Sequence, residues 1–248
     1  MSESVEQWQH FFGEDYIRFS ELILNTERTK NEVENLTRIL GSSTGIRILD
    51  LGCGQGRIAV PLAQKGYSIV GYDQSEVLLN EARERAKREN VEVEFKRGDI
   101  RHLHYDERFH AVINIGTAFG YGGDEQRDRQ ALEHVGMALY PGGKFIIDTE
   151  NRDKKTQRFQ SEIKEEFYGI SMTSRREFSE ETGLWKEYFS WCSGEKQQTA
   201  SFVLRLYSPD EMVGILLQAG FKVEGIYGGL DCREWTSESS RMVIIARK

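Results

Sequence analysis

The sequence predicts an α/β protein, with a mostly parallel sheet covered by helices on both faces and an antiparallel insertion late in the chain. Three observations predict this fold. Short apolar strands alternate with amphipathic helices from residue 47 to residue 149, and such alternation gives parallel strands joined by right-handed crossovers. After residue 149 the apolar pattern changes to the period of two that is typical of strands. A last helix and two further strand-like segments then close the chain.

The first half of the core is predicted element by element from its apolar spacing. A strand at Arg47–Leu51 is followed by strands at 67–72, 91–97, 110–115 and 144–149. Helices are expected between them at 58–65, 75–90 and 124–140, the second of them capped by Ser75. Pro141 and the two glycines after it are expected to end the third helix before the fifth strand begins.

The two ends and the insertion follow the same reasoning. Residues 1–40 are expected to form two or three helices, the clearest at 27–40 with Val33 and Leu36 inward. Period-two stretches at 166–178, 184–191 and 199–207, separated by "SEETG" and "CSGEK", predict three antiparallel strands. Ser208 and Glu211 form a capping box that opens the last helix, before strands at 221–225 and 241–247. We therefore divide the chain into a helical cap (1–45), a core (46–151 and 208–248) and an insertion (152–207).

Composition restricts the functional classes. The 248 residues carry a formal net charge of −7, whereas a nucleic-acid-binding protein usually presents a basic face, so no nucleic-acid partner is expected. The three cysteines include no CxxC pair, which favours a reducing compartment over a disulfide framework. We find no leader segment and no apolar run of 18 residues. The sequence therefore predicts a cytoplasmic protein without membrane association.

The stretch "ILDLGCGQGR" places Gly52, Gly54 and Gly56 between a buried strand and a helix. This arrangement puts backbone N–H groups and a helix N-terminus at the carboxyl edge of the sheet, where open α/β folds bind ligands. A dinucleotide site favours G-x-G-x-x-G, whereas here the spacing is G-x-G-x-G after the acidic Asp50. The spacing favours a ligand without a pyrophosphate. A tight turn without any ligand is the alternative.

Two acidic residues follow the next two strands. Asp73 lies about twenty residues past the glycines, where a carboxylate can accept hydrogen bonds from both ribose hydroxyls; a surface or capping role is the alternative. Asp99 in "FKRGDI" can meet an adenine amino group while Ile100 packs on the ring, unless the Gly-Asp pair only forms a turn. His102 and His104 are interpreted as solvated residues, and no metal is expected, because the sequence offers no third ligand.

Together, "LDLGCGQGR", "GYDQS", "GDI" and "LYPGGKFIID" resemble the motifs of class I S-adenosylmethionine-dependent methyltransferases. The resemblance covers residues 47–149 most strongly. It implies a seven-stranded, Rossmann-like sheet and S-adenosyl-L-methionine as the cofactor. It also implies the cofactor contacts: Gly52, Cys53 and Gly54 at the methionine part, Asp73 at the ribose, Asp99 and Ile100 at the adenine, and Ile115 and Gly116 on the sulfonium side, with Gln74 as a further cofactor-binding residue.

The acceptor is less well defined by the sequence. The stretch "NIGTAFGY" after the fourth strand lacks the Asn/Asp-Pro-Pro-Tyr/Phe motif of the family's DNA and protein amide methylases. The chain instead resembles bacterial small-molecule methyltransferases, including enzymes that methylate sugar nitrogens. We expect in-line methyl transfer to a nitrogen or oxygen of a small molecule, with Tyr16, Tyr121 and Arg205 as candidates to line its site. The alternatives are a non-catalytic S-adenosylmethionine-binding protein and, less favoured, a dinucleotide-dependent oxidoreductase.

The insertion has one apolar face, formed by Ala200, Phe202, Leu204 and Leu206. This face must cover something. It is either a lid over the protein's own site or the interface of a homodimer. We favour the lid, because the N-terminal segment offers a second aromatic surface for it to close against, formed by Trp8, Phe11, Phe12 and Tyr16.

Overall fold

The computed structural model describes residues 11–167, 170–193 and 196–248. Its helices are α1 Glu14–Ile23, α2 Thr26–Leu40, α3 Ala59–Gln64, α4 Glu76–Arg88, α5 Glu125–Ala138, α6 Arg152–Gln157 and α7 Pro209–Gln218. The strands of the main sheet are β1 Arg47–Leu51, β2 Ser68–Asp73, β3 Glu94–Arg97, β4 Phe109–Asn114, β5 Leu139–Glu150, β10 Lys222–Tyr227 and β11 Arg241–Arg247. A second sheet contains β6 Glu162–Phe167, β7 Ile170–Ser179, β8 Leu184–Ser193 and β9 Lys196–Arg205.

The main sheet has seven strands in the order β10-β11-β5-β4-β1-β2-β3. Strands β1 to β5 run parallel, and β11 is antiparallel to both β5 and β10. The predicted α/β fold with a mostly parallel, Rossmann-like sheet is confirmed. Chain order reverses between β1 and β4, so the connections that leave these two strands diverge. Ligands of open α/β sheets bind in the crevice that such a reversal creates.

Two cores lie on opposite faces of the sheet, because successive residues of a strand point to opposite sides. Ile48 packs with α2 and α3 in one core, and Leu49 packs with α5 and α7 in the other. Both side chains are completely buried. A strand covered on both faces is apolar at most positions, which explains Ile48, Leu49 and Leu51 of β1. The buried Asp50 is the exception. The sheet is therefore a rigid platform for the connections at its carboxyl edge.

The start of β5 differs from the prediction. The strand begins at Leu139, directly after α5, and not at residue 144. Its register with β4 shifts from the pair Phe109–Leu139 to the pair Ala111–Lys144, so the Pro-Gly-Gly segment lies in a bulge. Gly142 has a φ of +75° there, which is strained for other residues. The proline and glycines were expected to break the chain between two elements, whereas a bulge accommodates them inside one.

The second sheet has four antiparallel strands in the order β6-β7-β8-β9, one more than predicted. The predicted stretch at 166–178 spans the reversal between β6 and β7, where Phe167 pairs with Ile170. A period of two continues on both sides of a short hairpin turn, so periodicity alone did not show the reversal. The expected "CSGEK" turn includes residues 194 and 195, which lie outside the described residues.

The remaining elements agree with the sequence patterns. Ser208 accepts a hydrogen bond from the Glu211 backbone N–H, and the Glu211 side chain accepts one from the Ser208 N–H, which is the predicted capping box. Helix α2 buries Val33 and Leu36 as expected. Within the described part of the chain, every helix is too short or too polar to cross a lipid bilayer.

Candidate active site

A cavity of about 770 Å³ lies at the carboxyl edge of β1, β2 and β4, and is closed by α1 and the second sheet. Small-molecule sites occupy about 300–1,000 Å³, so the cavity is large enough for such a ligand. It brings together all nine residues that the resemblance assigned to the cofactor: Gly52, Cys53, Gly54, Asp73, Gln74, Asp99, Ile100, Ile115 and Gly116. Tyr16 and Tyr121, two of the three acceptor-site candidates, also line it.

The three glycines after β1 have different structural roles. A Cβ added to Gly52 would lie 2.3 Å from the Cβ of Ala118, and one added to Gly56 would lie 3.1 Å from that of Ala82. These two positions therefore require glycine for packing within the chain. A Cβ added to Gly54 would find its nearest neighbour, the Leu78 Cδ1, at 3.8 Å. Gly54 is the glycine whose backbone remains open to a ligand.

Asp73 connects the glycine loop with the start of α4. Its Oδ2 accepts a hydrogen bond of 2.8 Å from the Gly54 backbone N–H, and its Oδ1 accepts one of 2.8 Å from that of Ser75. Burial raises the pKa of this carboxyl, and the backbone donors oppose the rise. Each carboxylate oxygen can accept more than one hydrogen bond. The side chain is therefore held in one position and can still accept ribose hydroxyls.

Asp99 is more constrained than the sequence suggested. It caps the short 3₁₀ helix Ile100–His102 by accepting a 2.8 Å hydrogen bond from the Arg101 backbone N–H. The Arg101 guanidinium also donates to both of its oxygens. Burial would raise the pKa of Asp99, but the hydrogen bonds and charge of Arg101 outweigh it and lower that pKa. The predicted turn-forming role is therefore present, alongside a position on the cavity wall.

Two buried oxygens on the cavity wall have no hydrogen-bond partner within the described part of the chain: Oδ2 of Asp50 and Oε1 of Gln55. The Gln55 amide is oriented by a 3.1 Å hydrogen bond from its Nε2 to the Ser20 hydroxyl. Burial raises the pKa of Asp50 to about 7, although the charge of Arg57 lowers it. Buried acceptors are normally satisfied, so this end of the cavity is suited to a ligand group that donates hydrogen bonds, such as an ammonium.

The cavity also has an aromatic lining. The ring centroids of Phe12 and Tyr16 are 4.9 Å apart, those of Phe12 and Tyr121 are 5.6 Å apart, and those of Tyr121 and Phe202 are 5.5 Å apart. We call these four residues the aromatic wall. Burial raises the pKa of both Tyr16 and Tyr121. Both phenols are therefore protonated at neutral pH and can donate hydrogen bonds.

Several charged residues of the cavity were missed by the sequence analysis. Arg241, at the start of β11, donates a 2.8 Å hydrogen bond to Oδ1 of Asp148 and another of 2.8 Å to Thr117. Arg176 donates to Glu187, which also accepts from Ser174 and Trp185. One signal was present, because Glu187 stands between Trp185 and Phe189 on the apolar face of its strand. A buried carboxylate in such a pattern indicates a polar network.

Arg205, the third acceptor-site candidate, does not line the cavity. It donates hydrogen bonds to the carbonyl oxygens of Thr182 (2.9 Å) and Gly123 (3.4 Å) and lies 3.6 Å from the Glu125 carboxylate. In a strand, successive side chains point to opposite faces. Arg205 alternates with the buried Leu204 and Leu206 and so faces away from the side that they cover. Its place is therefore between a hairpin turn and the loop before α5.

The comparisons with known proteins agree with this geometry. Residues 48–143 match the model of the methyltransferase domain family. An S-adenosylmethionine-dependent methyltransferase from Clostridium acetobutylicum has the same fold, with a TM-score of 0.83 at 17% identity, over 94% of this chain and 99% of that one. The chain therefore carries the class I S-adenosylmethionine-dependent methyltransferase fold, as the resemblance implied.

Two further proteins are similar to this chain. A ubiquinone biosynthesis O-methyltransferase of Rickettsia akari is 34% identical over 110 residues, which are 44% of this chain and 42% of that protein. The matched part thus spans less than half the length of that relative. CalS10 of Micromonospora echinaspora, an amino pentose methyltransferase solved with S-adenosylmethionine bound, has a TM-score of 0.70 at 18% identity, over 93% of this chain and 96% of that one.

Proposed function

We propose that this protein transfers a methyl group from S-adenosylmethionine to a nitrogen or oxygen nucleophile of a small molecule. One observation carries the proposal. A single cavity joins the glycine loop, Asp73 and Asp99 to the aromatic wall under the second sheet. Such a cavity can hold a cofactor and an acceptor side by side and away from bulk water.

The residues present fit the cofactor. The unpartnered oxygens of Asp50 and Gln55 can accept the hydrogen bonds of its ammonium group. Gly54 leaves its backbone open at the cavity wall, and Asp73 is fixed where it can accept from a ribose. The cofactor supplies a methyl group activated by attachment to a positively charged sulfur. Ile115 and Gly116, just beyond β4, are the residues proposed to lie along that sulfur.

The protein contributes the alignment of the two reactants and the exclusion of water from the site. Holding two reactants in line can lower a barrier by roughly 7–11 kcal/mol. The aromatic wall excludes water, and the protonated hydroxyls of Tyr16 and Tyr121 can orient a polar acceptor by donating hydrogen bonds. A neutral amine needs no dedicated base for attack. The methyl-transfer step itself therefore requires no catalytic base.

The insertion serves as the lid of this site in our proposal. Phe11 stacks on Phe189 of β8 with centroids 4.4 Å apart, and the Trp191 indole donates a 2.8 Å hydrogen bond to Asp15 of α1. The apolar face of the second sheet is thus covered by residues of its own chain. This contact supports the lid and not the homodimer interface. Trp8, which was also expected among the N-terminal aromatic residues that the lid contacts, lies outside the described residues.

Two smaller points complete the proposal. Cys53, Cys192 and Cys232 are free thiols, which supports a reducing compartment such as the cytoplasm. The similar proteins include both an O-methyltransferase and an amino pentose methyltransferase, which supports oxygen and nitrogen as acceptor elements.

The test is transfer of label from methyl-labelled S-adenosylmethionine to a deproteinised small-molecule extract of the source cells. We expect label in a small molecule, with one S-adenosylhomocysteine formed per methyl transferred, and none with the matched Gly54→Val variant. Binding of S-adenosylhomocysteine without any transfer would favour the non-catalytic alternative. A rise in melting temperature with NAD and none with S-adenosylhomocysteine would favour the oxidoreductase.

A further inference from the structure

We propose that the acceptor is an amine, which binds as an ammonium group between the Glu150 carboxylate and the aromatic wall. This inference rests on the proposed function and deepens it by choosing nitrogen over oxygen. It follows from the carboxylates that line the cavity, from the free capacity of Glu150 and from the aromatic rings of the same cavity.

Two carboxylates of the cavity are available to a ligand. Arg176 and Arg241 line the cavity and are each paired with a buried carboxylate, Glu187 and Asp148. Glu150 and Glu165 line the same cavity, and their side chains accept no hydrogen bond from any residue of the described ranges. Carboxylates with free acceptor capacity favour a cationic ligand over an anionic one.

Glu150 is the carboxylate best placed to receive that cation. It is the last residue of β5, at the sheet edge that carries the cofactor loops. Its Oε1 lies 3.5 Å from Arg241 Nη1 and 3.7 Å from Lys155 Nζ, both longer than a hydrogen bond. Arg241 is already held at shorter distance by Asp148. Glu150 therefore keeps its capacity to accept N–H groups.

The aromatic wall suits the same ligand. The ring centroid of Phe12 lies 4.9 Å from that of Tyr16 and 5.6 Å from that of Tyr121. The face of an aromatic ring attracts an ammonium ion, whereas a neutral hydroxyl gains nothing comparable. Tyr121 and Glu150 line the same cavity. The rings and the carboxylate can therefore act on a ligand bound in that cavity.

The chemistry of transfer balances with these groups. The bound ammonium gives one proton to the Glu150 carboxylate, which is 30% exposed and can pass it to solvent. The nitrogen lone pair then forms the new N–C bond while the C–S bond breaks and its electron pair stays on sulfur, which becomes a neutral thioether. The methylated nitrogen leaves as an ammonium ion. No oxidant, reductant or metal is required.

The first experiment separates the acceptor by charge. The small-molecule extract is passed through a cation exchanger at pH 7, and each fraction is assayed with labelled S-adenosylmethionine. We expect the methyl-accepting activity to be retained and to elute with salt. Activity that flows through, or that is held only by an anion exchanger, overturns the inference and leaves the proposed function intact. Absence of activity from every fraction and from the starting extract overturns the proposed function itself.

The second experiment tests the residue. Glu150→Gln should raise the KM for the retained acceptor at least about 10-fold, because the amide carries no negative charge to pair with the ammonium. It should leave S-adenosylhomocysteine affinity by calorimetry within twofold. Glu166→Gln is the matched control, since Glu166 does not line the cavity, and should change neither value. An unchanged KM in Glu150→Gln, or equal loss of acceptor and S-adenosylhomocysteine affinity, contradicts the assignment.

Discussion

Replacing Asp73 by alanine should weaken both the cofactor complex and the fold. The carboxylate accepts hydrogen bonds from the Gly54 and Ser75 backbone N–H groups, each of 2.8 Å. Leaving a buried donor without a partner costs about 1–3 kcal/mol, and cavity water can replace part of that loss. We expect a loss of about 2–4 kcal/mol in the free energy of unfolding.

The cofactor effect comes in addition. Two charge-assisted hydrogen bonds to the ribose are worth on the order of 2–4 kcal/mol, which corresponds to a loss of roughly 30- to 1,000-fold in affinity. The assay is calorimetric titration with S-adenosylhomocysteine, with urea unfolding measured on the same samples. Asp73→Asn keeps one acceptor oxygen and should lose less of both, and Asp106→Ala in an exposed loop is the control. A folded Asp73→Ala protein with wild-type affinity would refute the ribose assignment.

Three further predictions test separate parts of the account. Gly52→Ala should lose about 2–5 kcal/mol of stability, since the new Cβ clashes with Ala118 at a positive φ. Gly54→Ala should lose only about 1–2 kcal/mol of stability but much of its S-adenosylhomocysteine affinity. Equal stabilities of the two variants in urea unfolding would contradict this. The pKa of Asp50, raised to about 7 by burial, predicts that the free native state binds an extra proton below that pH, so this group's contribution to stability is lost as pH rises from about 4 through 7. S-adenosylhomocysteine affinity should rise over pH 5–7, and Asp50→Asn should make this profile flat; a pH-dependent Asn variant would refute the role of Asp50. Replacing residues 162–205 by a short Gly/Ser loop, which retains the Tyr207–Asp128 hydrogen bond, should keep S-adenosylhomocysteine binding within a few-fold while methyl transfer is lost; retained turnover together with a change from dimer to monomer would show an interface and not a lid.

The cofactor side of the site was predictable because its signals are local in the chain. The glycines, Asp73 and Asp99 each stand at the end of a parallel strand, and the carboxyl ends of parallel strands meet at one edge. A pattern of a few residues therefore places each of them in the cavity. The sequence could not show that Asp73 also accepts a hydrogen bond from the Gly54 backbone, or that Asp99 pairs with Arg101. These contacts depend on loop geometry.

The acceptor side was not predictable to the same extent. Glu150, Arg176 and Arg241 come from three strands of two different sheets, and their pairing depends on how those sheets face each other. Arg205 was proposed as a site residue although its alternation with Leu204 and Leu206 placed it on the opposite face. The hairpin between β6 and β7 was missed because a period of two does not record a change of direction.

The most direct test of the account is a crystal structure of the protein with S-adenosylhomocysteine. We predict that the ribose hydroxyls contact Asp73, that the adenine packs on Ile100, and that the amino group satisfies the free oxygens of Asp50 and Gln55. The sulfur should then face the aromatic wall. A ligand bound elsewhere, or one whose sulfur points away from Tyr16 and Tyr121, would contradict the proposal that one cavity aligns the methyl donor with its acceptor.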